Sequence, residues 1–395
     1  MVLFFYASVN QLHAQWVKTN KLYGETIQCL LSSGTKLFAG TDGGGIFLST
    51  DNGTNWIAVN TGLTNTYVWS LAICDTNLIA GTNGGVFRST NNGRSWEAVD
   101  TGLTNLFVYA LAVSSTNLFA GTNGGVFLST DNGTNWSSAN AGLTNPLIYA
   151  LTVSGTNIFA GTYSGGVFLS TNNGSNWSAI NTGLMNISVQ CFAVRDTNIF
   201  AGTNGGGVYL STDNGASWNP MDMGLTNPYV YALTDSGANL FAGTGAGVFL
   251  SVSTGTIWSN VSTGLTGIGV WSLAVLGNDL FAGTGGNGVW RRPLAEMITS
   301  VDRSIGMPTH FSLSQNYPNP FNPSTLIGYQ LPMEANVTLK VFDVLGREVE
   351  TLVNERQIGG DHFVRFNASN LPSGVYFYRL QVGTYHDTKK LLLLK

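Results

Sequence analysis

The chain has 395 residues and a formal charge of −4, with 43% hydrophobic and only 10% charged residues, and this composition argues against disorder and against nucleic-acid binding. Glycine occurs 50 times without a Gly-X-Y period, which excludes collagen. Four His and three Cys leave little material for a metal site or a disulfide framework, and we expect no metal, no cofactor and no nucleic-acid partner.

Residues 1–14, MVLFFYASVNQLHA, predict a signal peptide. A short apolar stretch precedes Leu12-His13-Ala14, which is similar to the small-residue site at which secretory signals are cleaved. The stretch lacks a basic region, which an upstream translation start would explain; the alternative is a buried first strand. No apolar run reaches the length of about 18 residues that a membrane-spanning helix needs, so we expect no transmembrane helix.

A seven-fold repeat follows. Its most regular element is Ala-Gly-Thr, which recurs every 40 or 41 residues, at Ala39, Ala80, Ala120, Ala160, Ala201, Ala242 and Ala282. This period, with no helical periodicity, predicts a β-propeller. Each unit holds four strand patterns, which we call A to D from the axis outward. In the third unit they cover 108–113, 118–122, 125–130 and 136–140.

The seventh unit lacks a D-strand pattern, and the N-terminus supplies the missing piece. Trp16 is followed by Asn20 with the same spacing as Trp56 and Asn60. We therefore expect residues 16–20 to form strand D of the last blade. Closing the ring in this way removes an exposed sheet edge, which would otherwise invite aggregation.

The most specific motif lies between strands C and D and reads Ser-Thr-Asp-Asn-Gly-Thr-Asn-Trp at 49–56, with related copies at 89–96, 129–136, 170–177, 211–218 and 251–258. An Asp or Asn in a tight turn accepts backbone hydrogen bonds, Gly supplies a positive φ, and the Trp ring is buried. Asn replaces Asp in two copies, which weakens any calcium ligand set. We interpret the motif residues as structural: Asp51, Trp56, Asn91, Trp96, Asp131, Trp136, Asn172, Trp177, Asp213, Trp218 and Trp258.

This motif resembles the Asp-box, or bacterial neuraminidase repeat. Families with it include sialidases, sortilin-type receptors, xyloglucanases and a propeller factor for photosystem II assembly. The resemblance implies a seven-bladed propeller over residues 15–292. Because this fold carries many activities, the resemblance implies little about function.

A rise in charge density marks a second domain. Residues 293–310 are predicted to be a linker, and 311–395 show alternating patterns such as Val337–Phe342 and Glu348–Val353. About seven short strands in this length predict a small Ig-like β-sandwich. The overall fold class is therefore all-β.

Residues 311–395 also resemble the C-terminal sorting domain of the type IX (Por) secretion system of Bacteroidetes-like bacteria. The matching elements are Tyr317-Pro-Asn-Pro-Phe-Asn-Pro-Ser-Thr325, Val341-Phe-Asp-Val-Leu-Gly-Arg-Glu348, Leu371-Pro-Ser-Gly-Val-Tyr376 and the terminal lysines. The resemblance implies passage through the periplasm, recognition by the outer-membrane translocon, and removal by a sortase-like peptidase. The mature protein would then be secreted or attached to the outer-membrane surface. A fibronectin-like accessory domain is the alternative.

For the propeller we expect a binding or adhesion module. We expect its ligand to bind one face, around the mouth of the central channel. The B–C turns lie on the face opposite the motif turns, and neutral polar and aromatic residues there suit a glycan or a surface protein. Packing between blades is the alternative role for the A-strand residues. The expected binding residues are Gln28, Asp42, Trp69, Asn83, Tyr109, Asn123, Tyr149, Tyr163, Gln190, Asn204, Tyr231 and Trp271.

Two further functions stay open. A polysaccharide hydrolase would need two carboxylates about 5–9.5 Å apart, and on the binding face only Glu25 and Asp42 could form such a pair. A sialidase is not among them, because it would need converging arginines. Arg88, Arg94 and Arg195 fall on a C-strand, a C–D turn and an A–B turn, so they cannot converge on the binding face. A purely structural surface protein is the remaining possibility. We expect no catalytic residues.

Overall fold

The computed structural model describes residues 15–20, 22, 25–252, 257–265, 269–298, 310–316, 319–357 and 360–395. The chain divides into two compact units, Met1–Thr299 and Ser300–Lys395. The predicted signal peptide at 1–14 and the first two residues of the Tyr317 motif lie outside the described residues.

The first unit contains seven four-stranded antiparallel sheets. Blades 1 to 6 are formed in chain order, and each runs from an inner A-strand to an outer D-strand. The A-strands are β2 (Ile27–Ser33), β6 (Val68–Cys74), β10 (Val108–Ser114), β14 (Ile148–Ser154), β18 (Val189–Arg195), β22 (Val230–Ser236) and β26 (Val270–Leu276). The B-strands are β3 (Lys36–Thr41), β7 (Asn77–Thr82), β11 (Asn117–Thr122), β15 (Asn157–Thr162), β19 (Asn198–Thr203), β23 (Asn239–Thr244) and β27 (Asp279–Thr284).

The outer strands are shorter. The C-strands are β4 (Ile46–Ser49), β8 (Gly85–Ser89), β12 (Gly125–Ser129), β16 (Val167–Ser170), β20 (Val208–Ser211), β24 (Gly247–Ser251) and β28 (Gly288–Pro293). The D-strands are β5 (Ile57–Ala58), β9 (Glu97–Ala98), β13 (Ser137–Ser138), β17 (Ser178–Ala179), β21 (Asn219–Pro220), β25 (Ser259–Asn260) and, for blade 7, β1 (Val17–Lys18). The predicted D pattern at 136–140 is thus too long, because the Trp136 backbone N–H bonds Thr101 of the preceding blade instead.

The seven A-strands pack side by side in a closed ring. Each contacts the A-strand of the next blade, and β2 of blade 1 contacts β26 of blade 7. Strand β1 pairs with β28, so the N-terminal segment completes the sheet whose other three strands are the last of the propeller. The structure is therefore a seven-bladed propeller whose ring is closed by its N-terminal strand.

The motif turns are held by their own side chains. In the first copy the Asp51 carboxylate accepts hydrogen bonds from the Ser49 hydroxyl at 2.9 Å and from the Asn55 backbone N–H at 2.8 Å. Asn52 has a φ of 57°, a conformation that Asn tolerates better than most residues. The hydrogen bonds from Asn55 lower the pKa of Asp51 to about 2.

The motif tryptophans join neighbouring blades. Each is buried, and its indole N–H donates to a backbone carbonyl just after the D-strand of the preceding blade, over 2.5–2.8 Å, in Trp96, Trp136, Trp177, Trp218 and Trp258. Trp16 makes the same bond to Val261 of blade 6 at 2.8 Å. Trp56 of blade 1 donates to the Thr19 hydroxyl at 3.2 Å, on the segment that closes blade 7.

The predicted linker begins later than residue 293. Strand β28 includes Pro293, and residues 294–298 are helical with Leu294 and Met297 buried. The Leu294 backbone N–H also donates to the Asn278 carbonyl at 2.8 Å, so this stretch continues directly from the last blade. Residues 299–309 lie outside the described part of the chain.

The second unit is a β-sandwich of two antiparallel sheets with one buried core. One sheet has the order β29 (Ser312–Leu313), β30 (Ser324–Leu331) and β33 (Gly360–Asn367). The other has the order β32 (Glu348–Gln357), β31 (Ala335–Phe342), β34 (Gly374–Val382) and β35 (Tyr385–Leu393). The fold class is all-β, as the alternating patterns predicted.

Candidate ligand-binding face

Turns divide the propeller into two faces. Residues of the A–B turn at 276–279 share a depression with the C–D turn residues Asp51 and Asn52, so these turns lie together. On the other face, the backbone N–H of each B–C turn binds the chain just before an A-strand; for example, Asp42 donates to Thr26 at 3.0 Å. The expected binding residues belong to this second face.

The seven expected A-strand positions are all β-bulges. In every blade the A–B ladder skips one residue near its start, between Ile27 and Cys29 in blade 1 and at the equivalent place in the others. The skipped residues are Gln28, Trp69, Tyr109, Tyr149, Gln190, Tyr231 and Trp271. A bulge re-aims the side chain and is common beside functional sites, so these residues leave the normal inward–outward alternation.

Aromatic bulge residues contact one another from blade to blade. Trp69 meets Tyr109 edge to face with ring centroids 5.6 Å apart, and Tyr109 meets Tyr149 in the same way at 5.3 Å. Tyr149 then meets Tyr163 of its own B–C turn at 5.6 Å. These four rings form a continuous arc over blades 2 to 4, with Tyr163 49% exposed at its end.

The arc offers neutral polar groups. Burial, together with the nearby phenols of Tyr109 and Tyr163, raises the pKa of Tyr149 above its ordinary value of 10, so its hydroxyl is protonated at neutral pH. A protonated phenol both donates and accepts hydrogen bonds. Of the neighbouring turn residues, Asn123 is exposed and Asn83 and Asn204 are half-buried. The arc can thus contact C–H faces and hydroxyls without carrying charge.

Blades 6 and 7 depart from this arrangement. Tyr231 and Trp271 lie parallel, with centroids 4.7 Å apart and an interplanar angle of 7°. Their B–C turns carry Gly245 and Gly285 where the other blades have a side chain. Trp271 is 40% exposed, whereas the other six bulge residues are half-buried. Packing between blades therefore covers part of the surface of those six residues. It covers less of the surface of Trp271.

Sequence reasoning missed a second set of residues on this face. The D–A loops present large apolar side chains to solvent, namely Tyr67, Leu106, Phe107, Met185, Ile187 and Tyr229. Tyr67 and Tyr229 each form an isolated bridge with the B–C turn of the preceding blade, through Asp42 and Asn204. The sequence signal for this second set is the aromatic residue directly before the first A-strand valine, as in Tyr67, Phe107 and Tyr229.

Glu25 and Asp42 lie on the same face in blade 1. A Cβ atom placed on Gly44 would lie 2.8 Å from Glu25 Oε2, so the Glu25 carboxylate borders the B–C turn that carries Asp42. The three propeller arginines singled out above do not share that face. Arg88 pairs with Glu97 at 2.8 Å on the outer strands, and Arg195 bonds the Ala238 carbonyl at 2.6 Å at the A–B turns.

Two open depressions lie on the opposite face, between neighbouring A–B turns. One of about 490 Å³ includes Asp51 and Asp279, and one of about 670 Å³ includes Arg195, Asp196 and Asp235. They contain no expected binding residue. Within the described residues, no group of three or more His, Cys, Asp and Glu side chains is placed to hold a metal ion, and no helix is long and apolar enough to cross a membrane.

The fold and its turns define the class: a closed seven-bladed β-propeller followed by a β-sandwich. Residues 315–394 match the family described as the secretion system C-terminal sorting domain. The chain therefore carries a type IX sorting domain, which directs export to the cell surface or the extracellular space and implies interaction with the type IX machinery. No curated protein matches the chain.

Solved structures with the same architecture are similar to this chain at low identity. The extracellular domain of a one-component system from B. thetaiotaomicron is 14% identical with a TM-score of 0.60, covering 96% of this chain and 59% of that one. YCF48 from Cyanidioschyzon merolae is 14% identical with a TM-score of 0.57, covering 72% and 99%. A GH74 xyloglucanase from Xanthomonas campestris is 16% identical with a TM-score of 0.58, covering 88% and 63%.

At these identities the likeness concerns the fold alone. The chain spans less than two thirds of the length of the B. thetaiotaomicron and Xanthomonas proteins. The neighbours are β-propellers, in agreement with the repeat and with the seven sheets.

Proposed function

We propose that this protein is an exported glycan-binding module, and that its ligand lies across the B–C and D–A face at the mouth of the central channel. The observation that carries the proposal is the coincidence of all seven bulges with this one ring of residues. Five of the seven are aromatic. A bulge disturbs the ladder and re-aims its side chain, and the recurrence of one bulge at the same position in all seven blades favours a binding role for this ring.

The chemistry of the face favours a neutral ligand. Sugars present C–H faces to aromatic rings and hydroxyls to amides, and the Asn and Tyr residues of the turns supply both kinds of partner. The exposed apolar residues of the D–A loops widen this surface around the ring. A surface protein is the other ligand class that such a face could accept.

The test is a glycan array and a protein pull-down with the full chain, followed by titration of the hits. The double variant Tyr163→Ala/Asn123→Ala removes two exposed turn side chains that do not belong to the blade cores. Ile57→Ala, on the exposed outer strand of blade 1, is the matched control. We expect the double variant to lose affinity with an unchanged melting temperature. Equal affinity for a validated ligand would place the site elsewhere.

Polysaccharide hydrolysis is a second candidate, favoured by the two carboxylates of blade 1 and by the likeness to a xyloglucanase fold. Glu25 borders the turn that carries Asp42, so both carboxylates could lie beside the same glycosidic bond of a bound polysaccharide. Incubation with xyloglucan and other polysaccharides, with product detection by mass spectrometry, tests this. Activity that persists in Glu25→Gln and in Asp42→Asn would refute the assignment.

We further propose that a sortase-like peptidase removes the sorting domain after the translocon has delivered the chain. The similarity of residues 315–394 to sorting domains supports this step. Mass spectrometry of the extracellular form would show loss of residues 311–395, and a modified new C-terminus would distinguish surface attachment from release. An extracellular form with an intact C-terminus would refute the proposal.

A further inference from the structure

The seven blades repeat one arrangement, but the bulge tryptophans of blades 2 and 7 differ in the hydrogen bonding of their indole N–H groups. In blade 2 the Trp69 indole N–H donates to Asn83 Oδ1 at 2.6 Å, so the bulge residue is tied to its own B–C turn. In blade 7 the equivalent turn residue is Gly285, which has no acceptor side chain. The Trp271 indole N–H has no hydrogen-bond acceptor among the described residues, and its side chain is 40% exposed.

Gly285 also makes room for the indole. A Cβ atom on Gly285 would lie 2.7 Å from Trp271 Nε1, closer than side-chain carbons normally approach. Its backbone does not adopt a positive φ, so conformational freedom is not the reason for glycine here. The absent side chain therefore matters for the space that it leaves beside the Trp271 indole.

An unused amide borders the same opening. In blades 4 and 5 the loop asparagines donate to their own B–C turns, from Asn145 to Ser164 at 2.8 Å and from Asn186 to the Asn204 carbonyl at 3.2 Å. In blade 6 the equivalent Asn227 lies beside Gly245, and its Nδ2 group, like those of Asn65 and Asn105 in blades 2 and 3, makes no hydrogen bond to a described residue. Two donors without a partner among the described residues, and a stacked aromatic pair, thus lie in the adjoining blades 6 and 7.

We propose that Trp271, supported by the parallel Tyr231, is the stacking platform of the primary sugar subsite, with Trp271 Nε1 and Asn227 Nδ2 as donors to sugar hydroxyls. This inference rests on the proposed function and specifies where a neutral hexose unit binds. The rings of the Trp69–Tyr163 arc meet edge to face, whereas Tyr231 and Trp271 lie parallel. Trp271 stacks one face on Tyr231 and keeps 40% of its side chain exposed, so we assign the ligand to its other face.

Blade 2 supplies the matched variant. Gly285→Asn installs the residue that ties Trp69. Its Cβ would displace the Trp271 indole from its present position, and we expect the amide oxygen then to accept from Trp271 Nε1 and close the subsite. Acrylamide quenching of tryptophan fluorescence checks this without any ligand: the quenching that Trp271→Phe removes should also fall in Gly285→Asn. Trp271→Ala removes the platform itself, and circular dichroism of each variant reports folding.

The probes are neutral oligosaccharides of glucose, mannose, galactose and xylose, titrated into the full chain by calorimetry. For an oligosaccharide that binds, we expect Trp271→Ala and Gly285→Asn each to raise Kd about tenfold, the scale of one lost aromatic contact with its hydrogen bond. Trp271→Phe should have a smaller effect, and so should Trp69→Ala. Ile57→Ala should leave Kd unchanged.

The outcomes separate this inference from the function beneath it. Wild-type affinity in Trp271→Ala, with affinity lost in Tyr163→Ala/Asn123→Ala, would overturn the subsite and keep the glycan-binding face. Unchanged affinity in a folded Gly285→Asn whose quenching has fallen would also overturn it. Absence of binding by the full chain to every probe would refute the glycan function, and the subsite with it.

Discussion

Removal of the Trp16 side chain tests how the ring is closed. Trp16 is 3% exposed, its indole bonds Val261, and its backbone N–H donates to the Thr263 carbonyl at 3.0 Å. Among the described residues, two residue pairs join β1 to β28, and the Thr19 backbone N–H donates to the Val289 carbonyl beyond them. The ladder is therefore short, and we expect the buried ring to contribute more than the pairing itself.

The magnitude follows from the contacts. Truncation of a buried Trp to Ala costs about 3–5 kcal/mol, and this value covers the lost burial and the cavity. The Val261 carbonyl is not left without a partner, because Arg292 Nη1 also donates to it at 2.7 Å. We therefore add no penalty for an orphaned acceptor and expect a loss near 4 kcal/mol. At about 2–4 °C per kcal/mol for a domain of this size, the melting temperature falls by roughly 8–16 °C.

The assay is thermal unfolding followed by near-ultraviolet circular dichroism, combined with limited proteolysis. Trp96→Ala is the matched control, since Trp96 makes the same bond inside a continuous chain. We expect both variants to be destabilised, but only Trp16→Ala to release residues 15–20 to protease and to expose the β28 edge. A melting temperature for Trp16→Ala within about 2 °C of wild type would refute the reasoning.

Three further predictions concern the turns and the export domain. Hydrogen bonds hold the pKa of Asp51 at about 2, below the ordinary value of 3.8, so its turn should stabilise the fold above about pH 4 and lose that contribution as the pH falls toward 2. In thermal melts, the melting temperature should therefore fall less on acidification for Asp51→Asn than for the wild type. An equal fall would contradict this. Gly142→Ala should lower the free energy of unfolding by at least about 2 kcal/mol more than Gly155→Ala does. Both glycines have positive φ, but only a Cβ at position 142 would lie against the Trp177 carbonyl. Equal denaturation midpoints for the two variants would count against that contact. Deletion of residues 311–395 should leave the propeller in the periplasm of a type IX host, as fractionation would show, and normal surface delivery would exclude the export role.

Much of this architecture could be predicted from local patterns. The 40-residue repeat and the turn chemistry of the motif predict the blades, because each depends on residues close together in the chain. Closure joins residues far apart in the chain, but the recurrence of the motif Trp at 16 predicts it, because the seventh unit lacks the strand that this Trp accompanies elsewhere. The sorting domain was recognisable for the same reason, through short motifs in a constant order. The positions of the bulge ring could also be aligned, since the repeat carries one register through all blades.

The tertiary structure alone decided how that ring differs from blade to blade. Whether a bulge tryptophan is tied, as Trp69 is to Asn83, or open, as Trp271 is above Gly285, depends on atoms brought together by two strands and a turn. The edge-to-face arc and the parallel pair depend on neighbours in the next blade, about 40 residues away in sequence. Periodicity places one bulge residue at the same position in every blade. Contacts within the blade then decide whether its indole N–H is bonded, and packing across the blade boundary decides whether its ring meets the next one edge to face or in parallel.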